Sequence, residues 1–236
     1  VNLVHDLLAR YAEMWVVSSV MKILSNGIAV IEGDTHISAW VASEGRLDHD
    51  QYSLPIILEH IKEGDWVVDG GAFIGDHTIA YLKSVGDSGR VFAFEPNLEA
   101  FECLEHNCNS AVCYPYGLGS IREKKNFFKN KNVGASSVSD IGGDEIVVTS
   151  LDSYDLPRLD FLKLDVEGYE LKALQGAEET IATHRPKMWI EINRGALGRQ
   201  GASGKDIFAF LTDYDYDIEP YPEEGGDQYD ILCLPR

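Results

Sequence analysis

Trp66 to Thr78 reads WVVDGGAFIGDHT, an apolar strand that runs into an acid, two adjacent glycines and a third before another apolar segment. The glycines let the backbone turn tightly and approach a ligand, while the helix that follows offers unpaired N–H groups at its start. Such a turn wraps a nucleotide-like molecule, which makes Asp69, Gly70, Gly71 and Gly75 candidate binding residues. Further on, RVFAFEPN supplies a second apolar strand that ends at Glu95, a carboxylate suited to the two hydroxyls of a ribose, with Pro96 shaping the pocket beside it. The pair of signals points to an adenosine-containing ligand. Plainer roles stay open: the glycines can serve only a compact crossing, and Asp69 or Glu95 can cap a helix.

The spacing narrows the ligand. Dinucleotide sites use GxGxxG, whereas here Gly70 and Gly71 are adjacent and Gly75 follows later. S-adenosylmethionine has no pyrophosphate to cradle, and its sulfonium cation suits an acidic mouth. It is therefore the expected cofactor.

Two other strand ends carry acids. LKLDVEGYE places Asp165 and Glu167 just beyond an apolar run, and WIEIN places Glu191 and Asn193 at the end of the next. In an open parallel sheet these ends converge on the ligand crevice. Asp165, Glu167 and Glu191 are the expected catalytic or substrate-positioning residues, with Asp165 the leading base or base-orienting group. Alternatively Asp165 orders its loop, Glu167 caps the next helix and Glu191 pairs with Arg185, Lys187 or Arg194. Asp165, Glu191 and Asn193 are also oxygen donors of the kind Mg²⁺ takes, but the favoured reading has no metal. No compact His/Cys set suggests zinc. His77 reads as a packed or solvent-facing histidine, and His184 is a poorer candidate still.

The elements that must position these groups follow an alternation of strand and helix. Strands are expected at 66–69, 90–95, 112–116, 161–164 and 187–192, with helices from about 76, from about 98 and over 170–183. Such alternation gives a mostly parallel sheet covered on both faces. A helix over 205–211 precedes strands near 216–219 and 229–232, and the turn-rich PYPEEGGDQ between them predicts an antiparallel hairpin at the sheet edge. Before the sheet, 28–31 and 37–41 suggest a hairpin and 54–61 a helix. Leu3, Leu7, Leu8, Tyr11 and Trp15 fall on one helical stripe, either a homodimer contact or a satellite helix. The division is an N-terminal helix and hairpin extension over 1–62 and a cofactor-binding core over 63–236. Between 118 and 150 both periods weaken, and the turn-rich stretch 126–141 is either an acceptor-recognition loop or surface structure.

Several of these segments, VVDGGAFIGDHT, GRVFAFEPN, TSLDSY, FLKLDVEGYELKALQGA and RPKMWIEIN, together resemble the FkbM-like family of class I S-adenosylmethionine-dependent methyltransferases over residues 64–193. That family commonly has valine where Gly70 stands and asparagine where Phe73 stands. The resemblance implies a Rossmann-like methyltransferase sandwich and methyl transfer to a hydroxyl of a small molecule or saccharide, and it supports Asp165 near the reacting atoms. Methyl transfer to nitrogen and a non-catalytic S-adenosylmethionine-binding protein are the alternatives.

Composition bounds the partners. The 236 residues can bury about 70 % of the surface of the unfolded chain, and 39 acidic against 20 basic residues give a net charge of −19. That excess repels a phosphate backbone, so nucleic acid is not an expected partner. The locally basic REKKNFFKNK reads as a solvated strand and turn. Cys103, Cys108, Cys113 and Cys233 lack metal or disulfide spacing and read as reduced thiols. Lys22 and Asn26 interrupt the apolar stretch 14–31, which argues against a membrane span. With no secretion signal evident, the expected compartment is the cytoplasm.

Overall fold

The computed structural model describes residues 20–130, 132–139, 143–221 and 226–236. The expected N-terminal helical stripe lies outside them. Its centre is a seven-stranded sheet built from β3 (Trp66–Gly70), β4 (Arg90–Phe94), β5 (Val112–Tyr114), β10 (Phe161–Leu164), β11 (Lys187–Asn193), β12 (Tyr216–Tyr221) and β13 (Gln228–Pro235). Their spatial order is β12-β13-β11-β10-β3-β4-β5, parallel except that β13 runs antiparallel to both neighbours. This is the expected Rossmann-like sandwich with an antiparallel edge hairpin and an N-terminal extension.

Strand periodicity sorts the apolar residues onto two faces. Val67, Val91, Phe161, Trp189 and Leu232 pack against α2 (Ser53–Leu58) and α3 (Thr78–Val85). Their neighbours Val68, Phe92, Leu162, Ile190 and Ile231 face the other way. There they meet α5 (Glu170–Gln175), α6 (Glu178–His184) and α8 (Gly204–Asp213). Because both faces are covered, the central strands read as continuous apolar runs. The chain lays β4 and β5 to one side of β3 and β10 and β11 to the other. The two directions part between β3 and β10, and in such sheets the carboxyl ends at the parting form the ligand crevice.

The extension differs from the expected hairpin. Residues 37–41 are not a strand but the start of helix α1 (Ile37–Glu44), and the hairpin pairs β1 (Met21–Ile23) with β2 (Ala29–Ile31). Asn26-Gly27 supplies its turn, with Gly27 at φ 88°, and Asp34, two residues before the His36 N-cap of α1, accepts the Ser38 N–H in its first turn at 2.8 Å. Ser and Asp at a loop end favour such caps over continued pairing.

The weakly patterned stretch 118–150 forms a second sheet in the order β6-β9-β7-β8, from β6 (Gly117–Leu118), β7 (Glu123–Phe128), β8 (Ser137–Ser139) and β9 (Asp144–Thr149). The basic run is β7 as a solvated strand. Lys124, Lys125 and Lys129 of the run are taken up by Glu145, Glu123, Glu99 and Asp144. The single helix expected over 170–183 breaks at Gly176, where a Cβ would stand 2.0 Å from the Gly119 carbonyl oxygen. Close approach of the second sheet to α5 requires glycine there.

That contact predicts opposite outcomes for two glycines. Gly176→Ala drives a methyl group into backbone and is expected to cost about 1–3 kcal/mol. Gly198→Ala, in α7 (Arg194–Arg199) with nothing within 4 Å of its Cβ, is expected to stabilise by about 0.5–1 kcal/mol. Urea unfolding of the two variants checks the signs, and equal effects would refute the packing role of Gly176.

Candidate active site

A cleft of about 530 Å³ opens at the parting of the strands. One wall is the turn after β3. Gly71, at φ 79°, has no room for a side chain, since a Cβ would lie 1.8 Å from the Asp165 carbonyl oxygen. Phe73 is also left-handed at φ 47°. Asparagine tolerates that region readily, whereas a bulky residue pays about 1–2 kcal/mol. Two contacts hold it. Its ring is buried against β2, α1 and α4 (Leu98–Asn107), and its N–H donates to Glu95 Oε2 at 2.9 Å.

Glu95 projects from the end of β4 and is 6 % exposed. Its second oxygen accepts the Asn97 N–H at 2.7 Å, so the carboxylate is fixed by backbone on both sides while still lining the cleft with Pro96. Burial pushes its pKa up to about 7, against the pull of those two N–H donors. Each oxygen keeps one lone pair for a ligand hydroxyl.

Asp69, Gly70 and Gly75 stand behind this wall and do not line the cleft. Asp69 is wholly buried and accepts the Thr78 hydroxyl at 2.6 Å. A Cβ on Gly70 would crowd Leu118 and Leu164 at 3.0 Å, and one on Gly75 would meet Cys108 Sγ at 2.5 Å. These three shape the turn from within.

The opposite wall is carboxylate. Asp165 and Glu167 come from the β10–α5 loop and Glu191 from β11, and one oxygen of each lies within 4.8 Å of the others. Glu170 organises the loop: its Oε1 accepts both the Val166 and Gly168 N–H at 3.0 Å, bracketing Glu167, which sits at φ 52°. Burial first, then the charges of Asp165 and Glu170, push Glu167 up to about 7. Glu191 accepts from Gln228 Nε2 at 2.6 Å, and burial with the same acidic neighbours raises it further. It does not pair with Arg185, Lys187 or Arg194. Asn193 lines the cleft too, but its Oδ1 caps α7 by accepting the Ala196 N–H at 3.0 Å.

Lys163 joins the two walls. It lies in β10 beside Asp69 of β3, is 4 % exposed, and donates to the Gly71 carbonyl at 2.9 Å. Asp69 Oδ1 and Asp165 Oδ2 are each 3.4 Å from its ammonium. Burial opposes its charge, but Asp165, Asp69 and Asp76 outweigh that and raise its pKa. Sequence reasoning missed Lys163, although a lysine inside the four-residue strand FLKL had to meet a buried acid.

The extension and the second sheet close the sides. Asp50 receives His77 Nε2 at 3.2 Å, and Ser53 donates to Asp230 Oδ2 at 3.2 Å. His77 is thus packed, with Nδ1 3.1 Å from the Tyr81 hydroxyl. Burial works against both charges of the His77–Asp50 pair, yet mutual contact holds Asp50 below the carboxylate range and His77 above its own. Asp34 Oδ1 accepts the Val133 N–H at 3.0 Å, and Asn132, Val133, Gly134 and Ser136 all reach the cleft. No pattern in the sequence announced Asp50 or Asp230, because tertiary contact alone brings them in.

The methyltransferase FkbM domain model matches residues 69–218, which include every wall described above except the extension and β13. The chain belongs to this family of S-adenosylmethionine-dependent methyltransferases. It is similar to the hexuronic acid methyltransferase AglP of Haloferax volcanii, 32 % identical over 142 residues that cover 54 % of this chain and 56 % of that protein. The match therefore spans little more than half the length of that relative. Among solved structures, the methyltransferase FkbM of Methylobacillus flagellatus superposes with a TM-score of 0.51 at 22 % identity, over 72 % of this chain and 43 % of that one. Aeropyrum pernix fibrillarin with natively bound S-adenosyl-L-methionine gives 0.50 at 14 % identity, over 80 % and 76 %. At these identities the superpositions speak for the fold alone. Among the described residues no helix is long and apolar enough to cross a membrane.

The buried pair makes its own prediction. Lys163→Met leaves Asp69 uncompensated and is expected to cost about 3–5 kcal/mol in urea unfolding. The double variant K163M/D69L removes both charges and should recover most of that loss, with the Thr78 hydroxyl left short of a partner. Additive losses in the double variant would show that the pair is not coupled.

Proposed function

We propose that the chain transfers the methyl group of S-adenosylmethionine to a hydroxyl of a saccharide or related small molecule. The observation that carries this reading is the facing of the two walls across one cleft, the Gly71–Phe73 turn with Glu95 on one side and Asp165, Glu167 and Glu191 on the other. Glu95 takes the two ribose hydroxyls on its free lone pairs, and the Gly71–Phe73 backbone approaches the aminoacyl part. The carboxylate wall across the cleft would favour the positive charge of the sulfonium.

The acceptor oxygen attacks the methyl carbon as the carbon–sulfur bond breaks, and the electron pair of that bond stays on sulfur as a neutral thioether. The hydroxyl proton leaves toward the carboxylate wall. Asp165 is the member with an exposed side chain and contact to Lys163, so it receives the proton or orients its departure. Alignment of the attacking oxygen supplies much of the acceleration, up to about 7–11 kcal/mol, and a positioned base adds about 10²–10⁴-fold. A saccharide acceptor is favoured by the similarity to a hexuronic acid methyltransferase. The apolar Phe127, Val138, Ile146 and Val148 give one side of the cleft a surface for a sugar or small-molecule face.

A labelled-methyl screen against neutral and uronic-acid glycans, polyketide-like alcohols and amines tests the reading, with the methylated atom located in any product. Label on an oxygen is the expected outcome, and label on nitrogen or none at all would replace it. Asp165→Asn should slow the single-turnover transfer by about 10²–10⁴-fold while leaving cofactor affinity within about twofold. Wild-type turnover in a folded variant would remove Asp165 from the chemistry.

Glu95 adds a pH dependence. Its pKa near 7 in the free protein must fall when ribose hydroxyls donate to its charged form. Binding below neutrality therefore releases a proton, and affinity should tighten by up to about tenfold per pH unit toward 7 and level off above it. Titration calorimetry of wild type against E95Q checks this, since E95Q should bind more weakly with a flatter profile. The same profile in both would deny Glu95 the ribose.

A further inference from the structure

We propose that Asp165, Glu167 and Glu191 hold a divalent metal cation, and that this cation seats neighbouring oxygens of the acceptor. The site itself goes beyond the methyl-transfer reading, and only the seating of the acceptor rests on it.

Three carboxylates in reach of one another are common on protein surfaces and ordinarily mean only a solvated acidic face. Glu191 separates this cluster from such a face. The residue is 9 % exposed, and Gln228 satisfies Oε1 at 2.6 Å. Its Oε2 is buried with no hydrogen-bond partner among the described residues. A buried carboxylate oxygen left unpaired is costly, and here it belongs to a residue that lines the cleft and brings a carboxylate oxygen within 4.8 Å of one from each of the other two. No lysine or arginine among the described residues pairs with it. Among the described residues Lys163 is the single lysine or arginine lining the cleft, against seven carboxyl residues, and it already serves Asp69, Asp165 and the Gly71 carbonyl.

Donor type and spacing select the ion. All three ligands are hard oxygens, which favours Mg²⁺, Mn²⁺ or Ca²⁺ over zinc. Oxygens about 2.0–2.6 Å from such an ion stand roughly 3–5 Å apart, and the observed 4.8 Å limit falls inside that range. Three carboxylates leave an octahedral ion with open positions on the cleft side. Those positions suit the adjacent hydroxyls or the carboxylate of a sugar, groups that the acidic wall would otherwise repel or bind weakly. The loop is built to hold its share, since Glu170 pins the backbone on both sides of Glu167. Gln228 stands behind Glu191 as the outer support that metal ligands commonly have.

The test uses Mn²⁺ alone, added to EDTA-stripped protein while electron paramagnetic resonance follows the free ion. One saturable equivalent is expected, displaced by Mg²⁺ and distinct from weak association with the acidic surface. Asp165→Asn and Glu191→Gln should each lose that equivalent, Gln228→Leu should weaken it by about 10–100-fold, and Glu145→Gln on the exposed face of β9 should keep it. Circular dichroism and cofactor titration verify the fold; if E191Q does not fold, D165N, whose side chain is 41 % exposed, carries the comparison. Absence of a saturable equivalent in the wild type, or an equivalent that D165N leaves intact, overturns the site. Transfer that persists in EDTA at the rate seen with bound Mn²⁺ overturns the seating of the acceptor and spares the methyl-transfer reading. Bound Mn²⁺ with no methyl transfer overturns that reading and the seating of the acceptor, and spares the site.

Discussion

The ammonium of Lys163 is the fixed point of this protein. It is buried where β3 and β10 part, and its contacts to Asp69, Asp165 and the Gly71 carbonyl tie the end of β10 to the end of β3, two segments far apart in the chain. A charge in that position is tolerated only because it is paired. The pairing in turn sets the geometry on both sides. Gly71 must lie against the Asp165 backbone, a proximity that leaves no space for a side chain. Asp69, held by Lys163 and Thr78, anchors the start of α3 and with it the turn that presents Phe73 to Glu95. The turn after β3 and the carboxylate wall are two consequences of one buried ion cluster.

The backbone around this cluster is restrained from outside as well. Phe73 and Glu167 both occupy the left-handed region, one on each wall. Such conformations persist when neighbours over-determine them. For Phe73 the restraint is the apolar extension packed over its ring, joined to the Glu95 hydrogen bond. For Glu167 it is the single carboxylate of Glu170, which takes the N–H on either side. The extension is therefore part of the site's support and not an ornament beside it: removing the packing over Phe73 would loosen the very N–H that positions Glu95.

What the sequence made legible follows from which forces act locally. Strands β3, β4, β10 and β11 are buried on both faces, so their apolar runs and the glycine turn stand out without any knowledge of tertiary contacts. Glu95, Asp165, Glu167 and Glu191 were found because parallel strands all end at one edge. The misread hairpin shows the opposite case. Residues 37–41 are β-branched, aromatic and small enough for either state, and what tips them is Asp34 taking an N–H of the first helical turn together with Asn26-Gly27 taking the turn earlier. The second sheet was hidden because β7 is solvated, with Lys124 and Lys125 balanced by acids across or along the strand. Asp50, Asp230 and Gln228 enter the cleft only through tertiary contacts to His77, Ser53 and Glu191. Their local sequence has no reason to reveal them.

Charge balance across the cleft links these parts. Seven carboxyl residues and one lysine line it, and burial raises several of those acids toward or above neutrality. The result is a cavity whose charge depends on what enters. A sulfonium is attracted while any of the acids is ionised, and its departure as a neutral thioether removes that attraction, so the substrate form of the cofactor is favoured electrostatically over the product form. The acceptor faces the reverse condition. A neutral hydroxyl pays little to enter, whereas an anionic sugar meets the same carboxylates that attract a sulfonium. Any anionic acceptor therefore needs positive charge beyond Lys163, which is already committed to the ion cluster that holds the two walls in place.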